Sequence, residues 1–190
     1  MPSPFTVVYD ACVLYPAPLR DLLMWLGLSG RFRARWTAQI HKEWKRNLLA
    51  NRPDLTWEQV NRTSACMDRA IPDALVTGYE PLMAGLVLPD VDDRHVLAAA
   101  IRCQASVIVT FNRKDFPAQV LAPFGIEAQH PDEFIDNLFD LDPAAVVTAA
   151  QKQRQKLRTP PIEVERYLDT LLKQGLVQTV KGLGAFRQVL

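Results

Sequence analysis

The sequence predicts an α/β domain built on a mainly parallel sheet, with a helical extension at its C-terminal end. Three observations carry this. Short apolar runs rich in β-branched residues, such as "FTVVY" and "ASVIVT", alternate with longer segments of helical spacing. The chain has 190 residues, 48% hydrophobic and 23% charged, which suits one domain with a real core and a small appendage. After Leu141 the strand-like runs stop and only amphipathic helical patterns follow.

The elements follow in order. "FTVVYDACVLYP" opens with an apolar run that ends at Asp10 and reads as a buried strand. "PLRDLLMWLGLSG" has helical spacing and stops at Gly27 or Gly30. "RFRARWT" is a short strand, and Thr37 caps the helix "AQIHKEWKRNLLAN", which ends before Pro53. Thr56 opens a further helix to about Ile71. "ALVTGY" and "GLVLP" read as short strands or approaches to them. "PDVDDRHVLAAAI" is a helix running to about Cys103, "ASVIVT" the clearest strand, and "FNRKDFP" a loop. A short helix, the strand "GIEAQ" and the helix "PDEFIDNLF" complete a domain over 1–141. The extension, 142–190, holds two amphipathic helices, "DPAAVVTAAQKQRQKLR" and "IEVERYLDTLLKQG", separated by "TPP".

Composition excludes several classes. Cys12, Cys66 and Cys103 are odd in number and far apart, so neither a disulfide framework nor a zinc pattern is expected. The N-terminal residues lack the pattern of a signal peptide, and charges interrupt each apolar region, so the expectation is a cytoplasmic protein with no membrane span. A formal net charge of +1 neither favours nor excludes a polyanionic partner, because local patches matter more than the sum.

Four acids stand out by position. Asp10 ends a strand, where it is either a turn residue or a ligand at the strand's carboxyl end. Glu43 shares a helical stripe with Ile40, Trp44 and Leu48, so it faces inward and needs a strong partner. Asp90 can cap the helix of "PDVDDRHVLAAAI", with Asp93 in its first turn, and that capping role also suits Asp92. Asp93, however, lies on the stripe of Val96, Leu97, Ala100 and Ile101 and points toward the end of the sheet. Asp115 follows the clearest strand, either as a loop acid beside Arg113 or Lys114 or as a member of the site. Thr110 and Asn112 precede it and can hydrogen-bond water at a metal. Converging carboxylates repel one another unless a cation sits among them, and oxygen-only donors suit Mg²⁺ or Mn²⁺ rather than zinc. His41, His95 and His130 show no metal spacing and read as structural or solvated.

With these residues in place, the chain resembles a PIN-domain ribonuclease, and within that family the VapC-like toxins of type II toxin–antitoxin systems. The matching segments are "VVYDACVLYP", "HKEW" and "DDRHVLAAAIRCQASVIVTFNRKDFP", over roughly Thr6 to Gln129. The resemblance implies a three-layer α/β/α fold. It makes Asp10 the first-strand metal ligand, Glu43 the acid of the second helix and Asp93 the acid heading the alanine-rich helix, with Asp92 as the fallback. The family often has an acid just after the strand-end threonine, as "TxD"; here Asn112 stands there, and Asp115 is expected to supply the fourth carboxylate. The implied activity is Mg²⁺- or Mn²⁺-dependent hydrolysis of RNA, with a cognate antitoxin as partner and a homodimer as a common assembly.

"RFRARW" and "HKEWKR" interleave Arg31, Arg33, Arg35, Lys42, Lys45 and Arg46 with Trp36 and Trp44, a mixture that can stack bases and contact phosphates. The competing reading, favoured for the tryptophans, puts them in the core beneath a solvated basic face. "QKQRQKLR" is a second basic run. Alternative functions are a PIN-fold nuclease acting on DNA or in RNA processing, a catalytically degenerate PIN binding module, and a receiver-like signalling domain. The last lacks a middle-strand phosphoacceptor aspartate and a strand-end lysine.

Overall fold

A computed structural model describes residues 5–157 and 161–190. By packing they divide into two units, 5–15 with 32–130 and 16–31 with 131–157 and 161–190. The sequence changes character after Leu141; in the packing, the segments just before and just after the first strand–turn region part company, and 16–31 groups with the later helices.

The first unit holds the sheet. Its strands are β1 (Phe5–Tyr9), β2 (Phe32–Arg35), β3 (Val107–Val109) and β4 (Glu127–Gln129), all parallel, in the order β2-β1-β3-β4. The two central strands are apolar throughout because both faces are covered: Val7, Val8, Tyr9, Val107, Ile108 and Val109 are all buried. The unit's helices are α1 (Ala11–Leu14), α3 (Ala38–Asn51), α4 (Trp57–Ala70), α5 (Arg94–Arg102) and α6 (Ala118–Leu121), with α2 (Ala17–Gly27) belonging to the second unit. Thr37 caps α3 by accepting from the Ile40 N–H, and Thr56 and Gln59 form a capping box at α4. Helix α5 packs on β1 and β3. Its Ala98, Ala99 and Ala100 are fully buried, and their small side chains let the helix lie close to the sheet.

Three local expectations are corrected. Helix α5 does not start at Asp90. A 3-10 turn, Val91–Asp93, comes first, because the Asp90 carboxylate accepts from the nearby Asp92 N–H and tightens the chain there. Asp93 therefore stands at the cap position of α5, not inside its first turn. "ALVTGY" contributes one bridge, Leu75 beside Trp36, and "GLVLP" no strand; Glu80–Gly85 between them is a 3-10 helix. "FNRKDFP" contains a 3-10 turn, Arg113–Asp115.

The second unit is helical: α2, α7 (Pro131–Leu141), α8 (Pro143–Lys156), α9 (Val164–Leu172) and α10 (Val177–Gly184). Helix α10 adds a third helix to the two expected after Leu141. Its N-terminal amides at Gln178 and Thr179 donate to the buried Asp132 carboxylate, both at 2.9 Å. Helix α8 buries Val146, Val147, Ala149 and Ala150, and Gln153 spans from the Pro18 carbonyl to the Tyr167 hydroxyl. No helix among the described residues is long and apolar enough to cross a membrane.

Candidate active site

Strand register brings Asp10 and Thr110 together. Val7, Val8 and Tyr9 pair with Val107, Ile108 and Val109, so the residue after each strand falls at the same level. The ladder continues one step further: the Asp10 N–H donates to the Val109 carbonyl and the Thr110 N–H to the Gln129 carbonyl. The Thr110 hydroxyl then donates to Asp10 Oδ2 at 2.7 Å. Asp10 Oδ1 caps α1 by accepting from the Ala11 N–H at 2.7 Å. The Cys12 thiol donates to Asp10 Oδ2 at 3.1 Å and accepts from the Phe111 N–H at 3.3 Å. Asn112 donates its backbone N–H to Thr110 Oγ1 at 3.0 Å, while its side chain is exposed.

Asp10 is thus a carboxylate only 5% exposed but supplied with donors. Burial pushes its pKa up most strongly; the Thr110, Cys12 and Ala11 bonds pull it back, and the nearby Glu43 charge pushes it up further. Burial also pushes the Cys12 thiol up, so it stays neutral. Thr110→Val keeps the shape and removes the hydroxyl. It is expected to destabilise the protein at pH 7 by about 1–3 kcal/mol, the cost of leaving a buried charge short of a donor. Urea unfolding measures this; an unchanged midpoint would mean that the bond holds nothing in place.

Glu43 lies in the second turn of α3 and is half-buried. Its inward stripe position calls for a partner, and the partner is His95 of α5, whose Nε2 lies 2.8 Å from Glu43 Oε1. The approach is off the line of a well-formed hydrogen bond, and His95 Nδ1 has no hydrogen-bond partner among the described residues. Asp93 is half-buried where Asp92 is exposed. Its carboxyl is pushed up to about 7, first by burial and then by the charges of Asp10, Asp90 and Asp115, with His95 pulling back. Asp115 is half-buried at the end of its 3-10 turn. Electrostatically, then, Asp93 feels Asp10 and Asp115, and Asp10 feels Glu43. Among the described residues, no three Asp, Glu, His or Cys side chains stand close enough to enclose a metal ion.

Other sequence expectations fare differently. His95 is neither solvated nor satisfied within the core; its Nε2 lies against Glu43. His41 is a core residue bonded to Asp68 and Trp44, and the His130 ring packs against Phe111. Trp36 and Trp44 are both fully buried, with indole N–H groups donating to Asp68 and His41, so neither stacks on a base. Arg33, Lys42 and Arg46 remain exposed. In "QKQRQKLR", Lys152 and Lys156 lie over the Trp25 ring, and Arg158 falls outside the described residues. Cys12 and His95 were not expected in the site. Each is two residues from an acid, a spacing that helical periodicity assigns to another face; the one usable signal was that an inward Glu43 requires a partner.

Two family models match. One, described as PIN domain, covers residues 6–114. The chain belongs to the PIN-domain family. The α/β fold with its parallel central sheet is the one the sequence predicts for a PIN domain. The second model, VapC50 C-terminal domain, matches residues 131–185 of this PIN-domain chain. A protein of Mycobacterium tuberculosis named "Putative ribonuclease VapC50" is 35% identical, over 63% of this chain and 72% of its own length. No solved structure matches.

Proposed function

We propose that this PIN-domain protein is a divalent-metal-dependent endoribonuclease that hydrolyses RNA phosphodiester bonds as the toxin of a toxin–antitoxin pair. The observation that carries the reading is the gathering of acids at the carboxyl end of the sheet: Asp10 follows β1 and is held by Thr110 after β3, Glu43 acts on Asp10 electrostatically, and Asp10 and Asp115 act on Asp93. Like charges held in such proximity are relieved by a cation, and an all-oxygen donor set fits Mg²⁺ or Mn²⁺. The family resemblance assigns Asp10, Glu43 and Asp93 to the ion, with Asp115 supplying the charge that Asn112 does not; no three of these side chains enclose a common point as the chain stands, so binding an ion would draw them together. The ion supplies positive charge that activates the attacking water and neutralises the scissile phosphate. Thr110 fixes the orientation of Asp10, and Glu43 or Asp93 orients the water. The match to a relative named as a VapC ribonuclease supports RNA as substrate and, through the VapC family, a cognate antitoxin protein as partner; we place the protein in the cytoplasm on the sequence reading alone.

A second reading, a degenerate PIN binding module, is favoured by Asn112, an uncharged residue with an exposed side chain. Incubating the purified protein with total RNA or with DNA, with and without Mg²⁺ or Mn²⁺, separates the readings. New RNA ends that appear only with metal are the expected result. Ion binding without new ends supports the binding module, and cleavage of DNA alone moves the substrate. In the same assay, Asp115→Ala is expected to raise the Mg²⁺ needed for half-maximal cleavage, and Asn112→Ala to do less. Identical metal curves for Asp115→Ala and wild type would leave the site with three protein carboxylates.

A further inference from the structure

We infer that His95 is a positioning residue for Glu43: it holds one carboxylate oxygen so that the other is presented to a cation. The inference rests on the proposed reading that these acids bind a divalent ion.

The two buried histidines of the first unit make the contrast. His41 uses both ring nitrogens within the core, Nε2 at 3.0 Å from Asp68 Oδ1 and Nδ1 accepting from Trp44 Nε1 at 2.9 Å. That is how a histidine that serves the fold is satisfied. His95 is fully buried, yet Nδ1 has no hydrogen-bond partner among the described residues, and Nε2 meets Glu43 alone and out of line. The next five residues, Val96 to Ala100, are all fully buried and apolar. An apolar side chain would suit that setting better than an imidazole, so local stability does not account for His95.

Its placement relative to the acids does account for it. Glu43 belongs to α3, whereas Asp93 stands at the cap position of α5, and His95 lies on that helix two residues beyond Asp93. The Glu43 side chain has several rotatable bonds and is partly exposed, so alone it would sample many positions. Contact with a rigid, buried ring removes that freedom and ties the α3 acid to the α5 acid. Groups that orient metal-binding carboxylates from behind typically change ion affinity about 10–100-fold when removed.

The test uses the full chain and Mn²⁺ alone, with no RNA. Affinity is read by calorimetric titration and stability by thermal unfolding of the metal-free protein. His95→Leu fills the space with an apolar side chain; His95→Gln returns an amide N–H near the Nε2 position. The expected result is Mn²⁺ binding about 10–100-fold weaker in His95→Leu, with an unfolding midpoint equal to or above wild type, and recovery of most of the affinity in His95→Gln. Wild-type affinity in His95→Leu overturns the inference. So does a sharp fall in the unfolding midpoint of both variants with affinity lost in both, because His95 would then be part of the fold. Wild-type protein that binds no Mn²⁺ overturns the metal reading itself, an outcome visible before either variant is made.

Discussion

Replacing Asp93 with asparagine is expected to silence cleavage while making the metal-free protein more stable at pH 8. The Asp93 carboxyl sits at about 7 in the folded protein against an ordinary 3.8. The folded state therefore holds this proton more tightly than the unfolded chain does. Stability from this group is fully present below about pH 4 and is lost as pH rises through about 7. The full shift would amount to several kcal/mol, but Asp93 is half exposed, and solvent screening reduces it to about 1–2 kcal/mol. Asp93→Asn removes the penalty. Its unfolding midpoint at pH 8 should rise by about 2–8 °C, and the decline between pH 4 and 7 should flatten. Cleavage should fall about 100-fold or more, since the proposed site loses a carboxylate. Thermal scans across pH, paired with Mn²⁺ titration, check both halves. Undiminished Mn²⁺ binding would move the ligand role to Asp92 or away from this helix.

The pair Asp10→Asn and Asp10→Ala should agree in activity and differ in stability. Both remove the charge at the centre of the cluster, and cleavage is expected to drop about 10²–10³-fold in each. Asparagine still caps α1, because its side-chain oxygen can accept from the Ala11 N–H, and it relieves the repulsion with Glu43 and Asp93. Alanine leaves the Ala11 N–H, the Thr110 hydroxyl and the Cys12 thiol without their acceptor. Asp10→Ala should therefore be about 1–2 kcal/mol less stable than Asp10→Asn at pH 7. Urea unfolding of both variants decides it; equal stabilities would show that the Asp10 bonds contribute nothing to the fold.

The parts of the fold legible in the sequence are those where local chemistry and tertiary packing agree. β1 and β3 are runs of β-branched residues buried on both faces, and α3 and α4 begin at threonines whose hydroxyls do cap them. Helix α10 went unread because Gly182 and Gly184 lower its helix propensity. Packing explains the first of these: a Cβ at Gly182 would come within 3.3 Å of the Phe139 ring. The start of α5 was misplaced because an acid before an apolar run marks a cap equally well for a 3-10 turn or an α-helix. In the site, stripe positions put Glu43 and Asp93 on inward faces, and both are half-buried. What periodicity could not show is which residue meets which. The contact between Glu43 and His95 joins two helices that only the tertiary fold brings together.

The pairing of Asp10 with Thr110 also sets when the site can exist. The two residues are 100 positions apart, and their meeting depends on β3 docking beside β1 in a single register. Closing a loop of that length costs on the order of 4 kcal/mol in chain entropy before any contact repays it. A nascent chain still short of β3 carries Asp10 but has no Thr110 to orient it. The oriented Asp10 carboxylate is thus a property of the folded sheet, one that cannot exist until synthesis has passed Thr110 and β3 has docked beside β1.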